Sequence, residues 1–256
     1  MNIGFIGTGE ISKAVVLGIL RSNLSIKKIY ISRRNIKISN YLKYKSKKIV
    51  ISNNNQEIVD KSKFIFLAVT PEVGRKIIKT IKFKKSNIVV SFISTINLNE
   101  LKKYIKTKCQ IVRAIPLPPI SLGVGPVPIY PPNKKVKRLF NKIGRTIEIK
   151  NEKLSLNFWT MSSMMAPYYE MLSHLSNWLT KRGLSKKQSE NYISSLFLGL
   201  SKNAHQNKYR DFKELVKKSQ TSKGLNEQAL RELKNSDFYK KLNSTSNNIL
   251  MRLKGK

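Results

Sequence analysis

The stretch GFIGTGEIS at residues 4–12 decides the fold. Its start has the composition of a strand, and residues 10–23 carry apolar side chains at helical spacing. In a dinucleotide-binding turn the first glycine permits the tight bend, and the second lets the backbone approach the pyrophosphate. Gly7 and Gly9 fill these positions, whereas Ser12 takes the third, which serves helix–strand packing. Backbone N–H groups and the positive helix end hold a phosphate, so we predict that this turn still binds one.

The chain up to about residue 150 alternates short apolar runs with amphipathic stretches. This pattern is typical of strands joined by crossover helices in a parallel sheet, and a chance pair of glycines would lack such a context. Residues 126–132, PVPIYPP, contain too many prolines for a central strand and are predicted to form an edge piece or a loop. The other strands are expected at 27–32, 49–52, 63–69, 87–93 and 109–116, with 145–149 as the candidate for the last.

No further β-rich run follows Glu152. We therefore predict a doubly wound α/β domain at residues 1–152 and an all-helical domain at residues 153–256. The helices of the second domain are expected over 155–182, over 186–206, after the polar turn at Gly224, and over 236–253.

Composition excludes several classes of protein. No apolar run approaches the roughly 18–20 residues of a membrane helix, and the start of the chain has none of the features of a signal peptide. The single cysteine, Cys109, cannot form an internal disulfide and suits a reducing compartment. We expect a globular, cytoplasmic protein with a structural thiol.

The formal charge of +36, from 50 Lys and Arg against 14 Asp and Glu, invites a nucleic-acid interpretation. The lysines, however, are spread from end to end and accompany an excess of Ile, Asn and Ser. Our hypothesis is a bias of composition that places lysines on solvated faces everywhere, whereas a nucleic-acid site would concentrate them on one face. We expect no nucleic-acid partner.

The end of the second predicted strand distinguishes two cofactors. NAD-binding folds place an acidic residue there for the ribose hydroxyls, but this chain has Ser32, Arg33, Arg34 and Asn35. Arginine can hold a 2′-phosphate through two parallel charge-assisted hydrogen bonds. We predict NADP(H) as the preferred cofactor, with NAD(H) possible. The alternative is that two arginines are unremarkable in so basic a chain.

Several segments, in order, carry a family resemblance. The opening turn and ISRRN at 31–35 are similar to the first turn and the basic loop of pyrroline-5-carboxylate reductases. Further similar segments are FLAVTPE at 66–72, IVRAIPLPPISLGVG at 111–125, TMSSMMAPYYEML at 160–172 and KSQTSKGLNEQAL at 218–230. The chain thus resembles this family over nearly its whole length.

The resemblance implies an N-terminal Rossmann-type domain, a helical dimerisation domain, and a homodimer or an oligomer of dimers. It implies hydride transfer from NADPH to the C=N bond of a cyclic imino acid, as in proline biosynthesis. The substrate carboxylate would bind near Lys223, Gly224, Leu225 and Asn226, with Pro116 and Leu117 nearby, and Asn226 and Tyr168 are the catalytic candidates. The cofactor would contact Gly7, Thr8, Gly9, Glu10, Ile11, Ser32, Arg33, Arg34, Ala68, Val69, Thr70 and Pro71.

Departures from the family pattern concern the substrate. Asn226 stands where the family has a threonine that can donate a proton, and an amide can hydrogen-bond there without being a proton source. We therefore expect a diverged paralogue whose imine need not be pyrroline-5-carboxylate. The other replacements are Thr70 for a lysine, Lys223 and the pair Met164 and Met165 for glycines, Leu225 for a threonine, and Leu117–Pro119 for Asn-Thr-Pro.

Other functions stay open at this point. No metal-spaced His and Cys cluster, carboxylate pair or nucleophile triad is found, so we expect no metal; His174 and His205 lie in helical stretches. A paralogue that binds NADP or nucleic acid without catalysis would explain the charge and the altered motifs. A hydroxyacid-type dehydrogenase is weaker, because we cannot place its catalytic lysine.

Overall fold

The computed structural model describes residues 1–206 and 211–255, and the chain divides into two compact units, Met1–Trp159 and Thr160–Lys256. The first unit contains an eight-stranded sheet in the order β3-β2-β1-β4-β5-β6-β7-β8. All neighbours run parallel except β6 and β7. The strands are β1 Ile3–Ile6, β2 Ile29–Ser32, β3 Ile49–Ser52, β4 Phe64–Leu67, β5 Ile88–Ser91, β6 Gln110–Ala114, β7 Pro126–Tyr130 and β8 Arg145–Glu148. The doubly wound fold is confirmed, and the strand order reverses between β1 and β4.

Six α-helices of the described chain cover the two faces of this sheet. They are α1 Glu10–Arg21, α2 Ile36–Lys45, α3 Asn55–Lys61, α4 Pro71–Ile77, α5 Leu98–Tyr104 and α6 Lys134–Phe140. Buried residues of α1, α2 and α6 join one hydrophobic cluster, and those of α3 and α5 join the other. Short 3-10 helices occupy Ile78–Thr80, Pro118–Leu122 and Glu152–Leu154.

The central strands β1, β4 and β5 are buried at every position and largely apolar, because both faces of the sheet are covered there. Side chains alternate between the faces, so Phe5 and Phe66 lie in the first cluster while Ile6 and Ile65 lie in the second. The Phe5 and Phe66 rings stack with their centroids 4.5 Å apart. Burial on both faces is the physical reason that short Ile, Val and Phe runs predicted these strands correctly.

The prediction for the proline-rich segment was wrong, because β7 lies between β6 and β8 instead of at an edge. Its prolines occupy positions where the sheet tolerates the missing backbone N–H. Pro126 is the first residue of the strand, and Pro128 offers its carbonyl to the Ile115 N–H over 3.0 Å. The β6–β7 pairing is also short, with Arg113 opposite Tyr130 and Ala114 opposite Ile129.

The rest of the described chain is helical. A single helix over 155–182 was predicted, but it is broken after Ser162, because Pro167 has no N–H for the carbonyl of Ser163 and restricts the turn before it. The prediction also missed α10, although Phe212, Leu215 and Val216 have helical spacing. The helices are α7 Ser155–Ser162, α8 Met165–Thr180, α9 Lys186–Gln206, α10 Phe212–Lys218, α11 Leu225–Asn235 and α12 Phe238–Leu253.

The helical unit buries few side chains. Several large apolar residues of α8, α9 and α10 are more than half exposed, namely Trp178, Tyr192, Leu198, Leu200 and Phe212. Such extended apolar faces mark surfaces that associate with another protein.

Within the described chain, no helix is long and apolar enough to cross a membrane.

Candidate dinucleotide and carboxylate sites

The turn between β1 and α1 requires both of its glycines. Gly7 has a φ of +96°, and a side chain there would overlap the carbonyl oxygen of Ala68. Gly9 caps α1 without any side-chain hydrogen bond, and a Cβ at this position would meet no other atom of the described chain. Open space therefore lies directly over the first turn of α1, whose N–H groups have no intrahelical acceptors.

Three hydroxyls hold this turn in place. The Gly7 N–H donates to Ser32 Oγ over 3.0 Å, and Thr8 Oγ1 donates to the Ser32 carbonyl over 2.6 Å. Ser12 is fully buried, and its Oγ donates to the Gly7 carbonyl over 2.6 Å. The sequence indicated only a packing position at Ser12, whereas the structure shows that its hydroxyl ties the helix to the turn.

A cleft of about 510 Å³ opens over the carboxyl ends of the central strands. Ligands of open α/β sheets bind at such a reversal of strand order. The cleft contains seven of the predicted cofactor residues, Gly7, Thr8, Gly9, Arg34, Ala68, Val69 and Thr70. Asn35 and Ile36 also line it and were missed, although both directly follow the arginines in sequence.

The other predicted cofactor residues lie outside the cleft lining. Glu10 points to Lys13, with Oε2 and Nζ 3.2 Å apart, and Ile11 packs against the core. Arg33 is exposed to solvent, and Pro71 begins α4. Ser32 lies beneath the turn and borders a smaller adjoining cavity of about 180 Å³, which Arg34 and Asn55 also line. No sequence signal distinguishes Asn55, because asparagines after a strand are equally typical of loops and helix starts.

The charges of the cleft suit a phosphorylated dinucleotide. Among the described residues that line it, none is acidic, and Arg34 is the one charged side chain. The exposed N-terminus of α1 adds a positive dipole end beside the open space at Gly9. The residues present therefore fit a dinucleotide with an additional phosphate.

The predicted carboxylate site lies at the start of α11. Gly224 is the N-cap, and a side chain there would overlap Thr221 Oγ1. Lys223 has a φ of +59°, a left-handed conformation that favours glycine, at the position where the resemblance implies one. The first intrahelical bond runs from the Gln228 N–H to the Gly224 carbonyl, so the N–H groups of the three preceding residues have no helical acceptor.

Two side chains of α11 form hydrogen bonds with the backbone of the segment that precedes this helix. The Lys223 N–H donates to Glu227 Oε2 over 2.6 Å, and Asn226 Nδ2 donates to the Ser219 carbonyl over 2.8 Å. The Lys223 N–H is therefore occupied, and Asn226 presents its amide oxygen as an additional acceptor. Leu225 is exposed and leaves this helix end accessible.

The remaining predicted residues are distributed over both units. Tyr168 lies on α8, half-exposed, with its ring 5.5 Å from that of Tyr169 and 6.3 Å from that of Phe197. Pro116 is buried after β6, and Leu117 precedes the Pro118–Leu122 helix, where its carbonyl accepts the Ile120 N–H over 3.0 Å.

The Cys109 thiol lies away from these sites. Burial raises the pKa of the Cys109 thiol, which keeps it protonated. Within the described residues, no group of three or more His, Cys, Asp or Glu side chains could hold a metal ion.

Known proteins of the same architecture have low sequence identity to this chain. Pyrroline-5-carboxylate reductase of Haemophilus influenzae is 23% identical over 217 residues, which cover 80% of this chain and 79% of the relative. That of Staphylococcus saprophyticus is 24% identical over 241 residues, covering 90% and 88%. The crystal structure of Plasmodium falciparum pyrroline carboxylate reductase with NADP bound has a TM-score of 0.84 at 21% identity, covering 100% and 97%, and shows the shared fold.

The fold and the cleft define a dinucleotide-binding oxidoreductase with a helical dimerisation domain. Residues 2–95 match the family of NADP oxidoreductases described as coenzyme F420-dependent, and residues 153–255 match the pyrroline-5-carboxylate reductase dimerisation family. The chain belongs to the pyrroline-5-carboxylate reductase family.

Proposed function

We propose that this protein uses NADPH to reduce the C=N bond of a cyclic imino acid, as the names of its pyrroline-5-carboxylate reductase relatives describe. The observation that carries the proposal is the cleft over Gly7 and Gly9, whose described lining includes Arg34 and no acidic residue. A carboxylate in the lining of the cleft would repel a 2′-phosphate, whereas the guanidinium of an arginine attracts it.

NADPH, when bound, supplies the hydride, and the protein supplies binding and orientation. We propose that the N–H groups of the first turn of α1 hold the pyrophosphate, while Arg34, with Arg33 beside it, holds the 2′-phosphate. The remaining predicted contacts, including Glu10, Ile11 and Pro71, would act through their backbone, because their side chains point elsewhere or pack on the protein.

The substrate would be recognised by its carboxylate at the start of α11. We place it on the N–H groups of Leu225, Asn226 and Glu227, because the Lys223 N–H already donates to Glu227. An iminium nitrogen carries its own proton, and hydride addition to its carbon yields the amine without a further acid. The Asn226 amide oxygen can accept that N–H, which suits asparagine at a position where no proton source is needed. Tyr168 is our second candidate for substrate contact.

The dimerisation family of the C-terminal half and the exposed apolar faces of α8 and α9 support a homodimer. We propose a domain boundary near residue 152, where β8 has ended and the helices begin, although the compact units divide later, after Trp159 within α7. The half-buried, unpaired Cys109 supports a reducing, cytoplasmic setting.

The distribution of lysines favours a solvated surface over a nucleic-acid site. Exposed lysines lie on α2, which packs on one face of the sheet, and on α5, which packs on the other. Lys43 and Lys45 represent the first face, and Lys102 and Lys103 the second. A site for a polyanion would need one continuous basic face.

The proposal is tested by NADPH oxidation with the purified protein and a panel of cyclic imines. The panel contains pyrroline-5-carboxylate, pyrroline-2-carboxylate, their six-membered analogues and matched rings without a carboxylate. We expect turnover of at least one carboxylated ring and a much higher KM for its counterpart without the carboxylate. NADPH binding without turnover of any imine would refute the reductase and favour a non-catalytic paralogue.

A further inference from the structure

A buried ion pair lies at the carboxyl ends of β5 and β6. Arg113, on β6, places its guanidinium nitrogen Nη1 2.6 Å from Glu152 Oε1, and the two side chains are only 8% and 22% exposed. Neither side chain lines the cleft over the glycine turn. The pair therefore belongs to no function described above.

The pair holds both ends of one short segment. Arg113 Nη2 donates to the Ser94 carbonyl over 2.5 Å and reaches the Ile93 carbonyl at 3.5 Å. Glu152 Oε1 accepts the N–H of Leu98, the first residue of α5, over 2.8 Å. Residues 93–98 thus form a turn whose start is bound by the arginine and whose end is bound by the glutamate.

Stability alone is a poor reason for this arrangement. Burying two charges removes both from water, and an apolar replacement of similar volume is often as stable. The Nε of Arg113 is also buried without a hydrogen-bond partner among the described residues. What the pair supplies, and what apolar side chains could not supply, is a fixed position for the backbone carbonyl of Ser94 and the N–H of Leu98.

The position of segment 93–98 in the sheet indicates which half of a bound dinucleotide it would contact. A dinucleotide crosses the carboxyl edge of a doubly wound sheet, with one nucleotide on each side of the point where strand order reverses. The cleft residues Gly9 and Arg34 follow β1 and β2, on the side of the adenosine half. Segment 93–98 follows β5, on the opposite side, where the nicotinamide half would lie.

We propose that Arg113 and Glu152 are positioning residues that fix segment 93–98 as the support of the nicotinamide half. This inference rests on the proposed function. Neither residue touches the reacting atoms. Their effect is to hold the ring in the geometry that hydride transfer needs, and a displacement of about 1 Å in such geometry can cost on the order of 100-fold in rate.

The test compares Glu152→Gln and the milder Arg113→Lys with Glu100→Gln as a matched control. Glu100 lies on the same helix α5 and also pairs with an arginine, Arg75, over 2.8 Å, but it does not bind segment 93–98 through its side chain. Hydrogen exchange of the cofactor-free protein gives a readout independent of activity. We expect faster exchange at residues 94–98 in both test variants and unchanged exchange there in Glu100→Gln.

Kinetics then separate positioning from general destabilisation. Both test variants should lower kcat by roughly 10- to 100-fold. The Kd for NADP⁺ should change by less than about 3-fold, because the substitutions leave the cleft residues assigned to the adenosine half unchanged. Arg113→Lys keeps the ionic attraction but loses the fork that reaches the carbonyls, so it should also slow turnover. An unchanged kcat, or parallel losses of kcat, NADP⁺ affinity and melting temperature, would overturn the inference. If the wild-type protein binds NADPH but reduces no imine, the proposed function fails, and the inference fails with it. If the wild-type protein is active and both test variants keep its kcat, only the inference fails.

Discussion

The two arginines after β2 should contribute unequally to cofactor choice. Both side chains are exposed, but Arg34 lines the cleft and Arg33 lies outside its lining. A hydrogen bond to a charged group contributes about 1.5–3 kcal/mol. Since 1.4 kcal/mol corresponds to a factor of ten, Arg34→Ala should weaken NADPH binding by roughly 10- to 100-fold. Arg33→Ala should weaken it less than about 5-fold, because a charge outside the cleft lining acts on the phosphate only at longer range and through screening solvent.

The assay is a titration of each variant with NADPH and with NADH, followed by fluorescence of the bound nicotinamide. NADH lacks the 2′-phosphate, so its Kd should change by less than about 3-fold in either variant, and raised salt should reduce the NADPH preference of the wild type. Equal losses for both cofactors in Arg34→Ala would refute the assignment of the 2′-phosphate to this side chain. A larger effect at Arg33 would assign the 2′-phosphate to that side chain instead.

Three further results are expected. Gly224→Ala should raise the KM of the imine with little change in NADPH affinity, because the new Cβ overlaps Thr221 and shifts the start of α11; an unchanged KM removes the carboxylate from that turn. Ser12→Ala should lower the free energy of unfolding by about 1–3 kcal/mol, measured by urea titration, because it leaves the buried Gly7 carbonyl without its hydroxyl; no loss would mean that the bond is dispensable. Cys109 should react with a thiol reagent much more slowly at pH 7 in the native protein than in urea, since burial raises its pKa and keeps the thiolate scarce; equal rates would contradict this.

The sequence was sufficient for most of the sheet because both of its faces are buried. A strand such as β4, FIFL, is apolar at every position and belongs to a short apolar run between Lys63 and the Thr70–Pro71 helix start, so its type is unambiguous. The same reasoning failed for β7. Proline removes a donor, but whether that donor was needed depends on the partner strands, which single-strand composition does not contain.

The glycine turn could be predicted because its requirements are local. A positive φ at Gly7 and an open N-cap at Gly9 follow from a tight strand-to-helix connection. The long-range hydrogen bonds of Ser32 to this turn, and the place of Asn55 beside Arg34, depend on which strands are neighbours. Likewise, nothing in the sequence around Arg113 indicates that its partner is Glu152, 39 residues away.

The most direct test of the proposed reaction follows the hydride itself. The protein is incubated with a carboxylated cyclic imine and NADPH that carries deuterium at the reactive carbon of the nicotinamide, and the product is characterised by mass spectrometry and NMR. We predict a cyclic amino acid with one deuterium on the former imine carbon. Cofactor oxidation without deuterium at that carbon, or no product from any carboxylated imine despite bound NADPH, would contradict the account.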